Sequence, residues 1–143
     1  MAKVQLICRN CGAKLTSMLE AIETVEDAQL LTDLHCNDFE SPILQGTALF
    51  LEGAVLEDCQ HATSWSNPSV AQGAWLHLDD IAEFVADTEH ADRLMGCCGL
   101  DGQKGPNRVC ACGAEVGTEY SDCWTFHMFA VATKNTEWIE RND

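Results

Sequence analysis

The sequence predicts an α+β fold, rich in strands and poor in helices, built as a single domain over residues 1–143. Three observations carry that expectation. A chain of 143 residues has the length of one domain with its own core, and folding at this size hides roughly 65–70% of the surface of the unfolded chain. Hydrophobic residues make up 46% and charged residues 22%, an ordinary globular balance rather than a disordered one. The apolar residues fall mostly in short runs bounded by Gly, Pro, Asn and Ser, which is the pattern of strands and turns.

Taken in order, Lys3 to Ile7 has strand-like content, and Lys14 to Leu19 continues it as a short hairpin. From Glu20 to Leu34, the residues Ala21, Val25, Ala28, Leu31 and Leu34 fall near helical spacing. Asn37 to Gln45, with Pro42 inside and Gly46 after it, reads as a loop, and Ala48 to Leu56 as a hairpin around Glu52-Gly53. Residues 59–72, rich in Ser, Asn, Gln and Pro, read as an exposed loop. Gly73 to Leu78 is a strand with Trp75 as its core anchor. Asp79 then suits the N-cap of a short helix, with Ile81, Ala82, Phe84 and Val85 on one face. Gly96, Gly99, Gly102 and Gly105 mark a compact irregular loop with several positive-φ positions, too short and proline-poor for collagen. Ala114 to Ser121 and Trp124 to Ala132 read as strands, and Thr136 to Asn142 as a last helical turn.

Charge narrows the classes of partner. Eight Lys and Arg against 23 Asp and Glu leave a formal net charge of −15. Such a surface repels phosphate backbones and anionic membranes, so neither nucleic acid nor membrane is the expected partner; a basic protein is. The N-terminal segment turns polar too early for a signal peptide, and the most apolar stretch, Thr47 to Leu56, is interrupted by Glu52 and Gly53. A cytoplasmic location is the expectation.

The nine cysteines lie at positions 8, 11, 36, 59, 97, 98, 110, 112 and 123. An odd count with very close pairs argues against a disulfide framework and for metal binding in a reducing compartment. Residues 1–19 hold one pair and residues 96–143 five cysteines, with a middle region, 20–95, holding only Cys36 and Cys59. Cys8-x-x-Cys11-Gly12 is the form of a zinc knuckle: two thiolates reach one ion from a tight turn, and the glycine relieves the crowding there. A redox Cys-x-x-Cys would open a helix, whereas Gly12 and a strand-like stretch follow here. Cys8 to Leu15 is echoed by Cys110 to Val116, both closing on Cys-Gly-Ala but with two residues between the cysteines in one and one in the other. Two similar zinc-ribbon-like knuckles, one from each chain end, are therefore expected.

A four-coordinate Zn²⁺ needs two further ligands, and the candidates are Cys97, Cys98, Cys110, Cys112, Cys123 and His127. Adjacent Cys97 and Cys98 diverge and seldom share an ion, whereas Cys110 and Cys112 share a face of an extended strand. The single-site expectation is Cys8, Cys11, one of Cys97 and Cys98, and Cys110, with Cys112 next; six groups also leave room for two ions. His90, seven residues before Cys97, is a further candidate. His35, His61 and His77 read as surface or packing residues, and Cys36 and Cys59 as small core hydrophobes.

Enzyme signatures are missing: there is no Gly-x-Ser-x-Gly, Walker loop, His-Glu-x-x-His or dinucleotide fingerprint. The acidic positions an EF-hand needs after Asp101-Gly102 are also absent. The expectation is a non-catalytic zinc-binding module for protein interaction. The alternative is a thiol- or metal-dependent enzyme using Cys97, Cys98 or Cys123.

Gly96-Cys97-Cys98-Gly99-Leu100-Asp101-Gly102-Gln103-Lys104-Gly105-Pro106-Asn107, Cys110 and Ser121-Asp122-Cys123-Trp124 form a specific pattern with Cys8-x-x-Cys11-Gly12. In it the chain resembles a group of uncharacterised bacterial cysteine-rich proteins of similar length. The likeness is dense over residues 73–127 and the first 19, and thin across 20–72. It implies that both chain ends belong to one folded unit, and that Asn107, Asp122 and Trp124 are framework residues. Some members lack the counterpart of Cys112, which ranks it behind Cys110. The resemblance lends no activity.

Overall fold

The computed structural model describes residues 3–22, 45–50, 74–96, 99–102, 104–122 and 127–141. These residues build a mostly β structure, strand-rich and poor in helix as expected, but not clearly α+β. They form nine strands: β1 (Lys3–Cys8), β2 (Leu19–Ile22), β3 (Thr47–Leu49), β4 (Trp75–Leu76), β5 (Ala86–Asp87), β6 (Arg108–Val109), β7 (Glu115–Tyr120), β8 (Met128–Val131) and β9 (Thr136–Arg141). Helix among them is limited to three 3₁₀ turns, Leu78–Asp80, Ala82–Phe84 and Ala91–Arg93. The strands make one sheet in the order β5-β6-β7-β8-β4-β3-β2-β1-β9. All neighbours are antiparallel except β2 and β3.

A predicted helical turn, and the first residues of a predicted helix, lie in strands where tertiary pairing overrides local periodicity. Thr136–Arg141 pairs with β1 along its whole length, from Cys8↔Thr136 to Lys3↔Arg141. Its β-branched and aromatic residues suit a pleated surface, and the half-buried Trp138 packs edge-on against Phe50, ring centroids 5.0 Å apart. Leu19–Ile22, where a helix was expected from Glu20, lies between β1 and β3; residues 23–34 fall outside the described residues. The helix expected at 81–85 shortens to 3₁₀ turns because Val85 is already extended, leading into β5. His77, not Asp79, caps the preceding turn, its Nδ1 accepting the Asp79 amide at 3.1 Å.

The remaining strand expectations are met in part by the described residues. The N-terminal hairpin is an interrupted ladder: Ile7 bridges Lys14, the Leu15 amide donates to the Leu6 carbonyl, and pairing resumes at Val4↔Leu19. Within the interruption, buried Thr16 accepts the Leu6 amide on Oγ1 at 3.1 Å. Of the hairpin predicted at 48–56, Ala48 and Leu49 lie in β3, while 51–56 fall outside the described residues; so does most of the loop predicted before it.

The core draws on both halves of the sheet. Val4, Leu6 and Cys8 from β1 meet Leu15, Leu19, Leu76, Ile81, Val116, Phe129 and Val131 in one buried cluster, and Cys110 belongs to it. At about 25 cal/mol per Å² of apolar surface removed from water, each fully buried Leu or Phe contributes roughly 1.5–3 kcal/mol. Trp75, the expected anchor of its strand, is 1% exposed.

The glycines of the 96–105 loop serve two different needs. Gly102 (φ 68°) and Gly105 (φ 122°) occupy the left-handed region, as expected. Gly96 and Gly99 instead allow close approach: a Cβ on Gly99 would collide with the Ser121 carbonyl, and one on Gly96 with the Gly99 carbonyl. The loop is thereby laid against the end of β7.

Candidate metal centre

Each half of the candidate site is the tip of a hairpin. β1 delivers Cys8 to the first tip, where the Cys8 amide donates to the Ala13 carbonyl (2.9 Å) and the Gly12 amide returns to the Cys8 carbonyl (2.8 Å). β6 delivers Cys110 to the second, where the Cys110 amide donates to the Ala114 carbonyl (2.9 Å) and the Gly113 amide to the Cys110 carbonyl (2.8 Å). The turn-closing glycines stand at φ 78° and 92°, a conformation that Cβ-bearing residues enter only with strain. The Cys-Gly-Ala echo in the sequence is thus a shared hydrogen-bonding pattern, with one residue fewer in the second turn.

The two tips face each other. The Sγ atoms of Cys8, Cys11, Cys110 and Cys112 all lie within 4.8 Å of one another. Cys8 Sγ is 3.6 Å from Cys112 Sγ, and Cys11 Sγ is 3.5 Å from Cys110 Sγ. A tetrahedron with metal–sulfur bonds of about 2.3 Å has edges of about 3.8 Å, so the spacing is compatible with a tetrathiolate metal site. Cys8 and Cys110 are buried, Cys11 and Cys112 exposed. The group is therefore anchored in the core on one side and open to solvent on the other.

Local dipoles prepare one of these sulfurs to carry charge. Asn10 Nδ2 lies 3.3 Å from Cys112 Sγ. That hydrogen bond, with one from the Ala114 amide, lowers the Cys112 thiol to about 6. Burial pushes the Cys110 thiol up to about 12, although the Cys112 amide donates to it. A cation among the sulfurs reverses such a penalty, because a coordinated thiol is held as thiolate.

Of the residues expected from sequence, Cys8, Cys11, Cys110 and Cys112 are brought together. Cys97 and Cys98 lie outside the described residues, as do Cys36, Cys59, Cys123, His35 and His61. The fourth sulfur of the described group is Cys112, the residue expected next after one of Cys97 and Cys98. His90 and His127 do not join the group. His127 directly precedes β8, where burial lowers the imidazole below its ordinary range. Sequence reasoning missed Asn10; its position between the two cysteines of the first tip, as an amide that can donate to sulfur, was the available signal.

No family model matches the chain, nor does any curated protein or solved structure. Among the described residues no helix is long and apolar enough to cross a membrane.

Proposed function

We propose that this is a non-catalytic zinc-binding protein, in which Cys8, Cys11, Cys110 and Cys112 hold one Zn²⁺ that ties the two chain ends into one unit. The observation carrying this reading is the convergence of four thiols from two hairpin tips, all within 4.8 Å of one another. Zinc and iron are the ions suited to four sulfurs in a tetrahedron. Zinc is the ion proposed because Cys8-x-x-Cys11 has the spacing of structural zinc knuckles; four protein ligands on either ion leave no position open for catalysis.

Four thiolates and one Zn²⁺ take the formal charge from −15 to −17. The excess of acid supports the second part of the proposal, that the domain works by docking a basic protein.

Elemental analysis and a thiol count on protein purified without added metal test the first part. About one zinc per chain is expected, with four thiols protected until a chelator removes the ion and lowers the unfolding midpoint. Iron in place of zinc overturns the choice of ion, and a metal-free chain with all nine thiols reactive overturns the site. Titration of the loaded protein with oligolysine and oligoglutamate tests the second part. Salt-sensitive binding to oligolysine alone supports it; no binding to either overturns it.

A further inference from the structure

The four sulfurs divide into an inner and an outer pair. Cys8 and Cys110 begin their turns and are buried, whereas Cys11 and Cys112 directly precede the closing glycines and are exposed. All four sulfurs lie within 4.8 Å of one another, and two contacts, at 3.6 and 3.5 Å, run from inner to outer sulfur across the two tips, Cys8 with Cys112 and Cys11 with Cys110. Resting on the reading of this group as a metal site, we propose that Cys11 and Cys112 are oxidation sites for hydroperoxides. The buried cysteine of the opposite tip then resolves each, giving Cys8–Cys112 and Cys11–Cys110 disulfides and releasing the metal.

The chemistry balances with a hydroperoxide as the named oxidant. An outer thiolate attacks the peroxide; the O–O bond breaks, water or alcohol leaves with a proton, and a sulfenic acid forms. The facing inner thiolate, its bond to the metal broken, attacks that sulfur. The S–O bond breaks and hydroxide leaves as water. Each disulfide consumes one hydroperoxide, which takes up the two electrons given by the sulfur pair. With hydrogen peroxide, two molecules and four protons convert the zinc tetrathiolate into two disulfides, one Zn²⁺ and four waters.

Geometry decides both where attack occurs and how it resolves. Solvent-borne oxidant meets the exposed sulfurs first. From 3.5 and 3.6 Å, each pair must close by roughly 1.5 Å to reach an S–S bond of about 2.05 Å. The resulting links join residues 104 and 99 positions apart in the chain, so they replace the metal as the tie between chain ends. Oxidation then releases metal while the sheet persists, which makes the site a redox-gated source of the ion rather than a point of unfolding.

The test treats the zinc-loaded full chain with hydrogen peroxide. Released zinc is followed with a chromogenic chelator, disulfides by peptide mapping without reduction, and strand content by circular dichroism. The expected result is loss of the single zinc, both cross-tip disulfides, and retained strand signal. Zinc held at a peroxide excess that fully oxidises free cysteine overturns the proposal, even if other cysteines react. Cys8–Cys11 and Cys110–Cys112 pairing, or loss of the strand signal with the zinc, overturns it as well. Zinc content before peroxide reports on the metal reading alone: a loaded chain that resists oxidation leaves that reading standing. A chain without zinc overturns it, and the disulfide map still decides the pairing.

Discussion

Asn10 occupies the turn of the first tip but acts on the second, donating its side-chain amide to Cys112. Because that bond is the largest influence lowering the thiol to about 6, its removal has a directional outcome. In the metal-free chain, Asn10→Ala moves the pH midpoint of Cys112 alkylation upward, toward an ordinary thiol near 8.5; an unchanged midpoint contradicts the assignment. On the proposed zinc reading, the same substitution weakens metal binding about 10-fold or more, the usual effect of removing a hydrogen bond to a ligand. Competition with a chelator of known affinity measures it. Cys8, Cys11, Cys110 and Cys112 are all legible as candidates in the sequence, because Cys pairs close to a glycine are a local signature. The contact from Asn10 to a sulfur 102 positions away is not, since no local pattern encodes it.

At the scale of elements, both tips depend on a glycine, while a third glycine in β7 depends on space instead. Gly113 stands at φ 92° with nothing near the position of a Cβ, so Gly113→Ala carries only backbone strain, about 1–2 kcal/mol. Gly113→Asn recovers part of that loss, since Asn tolerates this region. At Gly117 an added Cβ runs into the Phe129 ring and the Ala130 carbonyl. There Ala costs about 1–3 kcal/mol through overpacking, and Asn costs more rather than less. Denaturant unfolding of the four variants checks this, and equal behaviour of Asn at both positions refutes it. Strand content was readable from the chain for β1, β7 and β8 because their apolar residues run in short β-branched or aromatic stretches. β9 was not, because six residues with two glutamates read as a helical turn until β1 supplies a complete ladder.

Stability of the whole molecule is also tied to pH through its core. Tyr120 is fully buried, and burial, then the negative charge of Asp101, raises its phenol from 10 to about 12. The folded state thus favours the neutral ring more than the unfolded chain does. That contribution is complete below pH 10 and is lost as pH rises through about 12; two units correspond to roughly 2–3 kcal/mol as an upper bound. Unfolding of the protein between pH 9 and 12 (a range of roughly 3 units around the tyrosine reference value) should show a falling limb that is shallower in Tyr120→Phe. Equal slopes in the two proteins exclude the tyrosine as its cause.

What the sequence by itself determined is whatever local chemistry encodes: the cysteine pairs, the glycines that close their turns, the acidic excess and the strand-forming stretches. The tertiary structure alone decided that the fold is mostly β among the described residues. It also decided that the fourth sulfur of the described group is Cys112, and that one half of the group is buried while the other is exposed. The physical reason is distance along the chain. Which strand completes a ladder, and which two turns face each other, depends on closing loops of about a hundred residues around a shared core. No window of neighbouring residues carries that information.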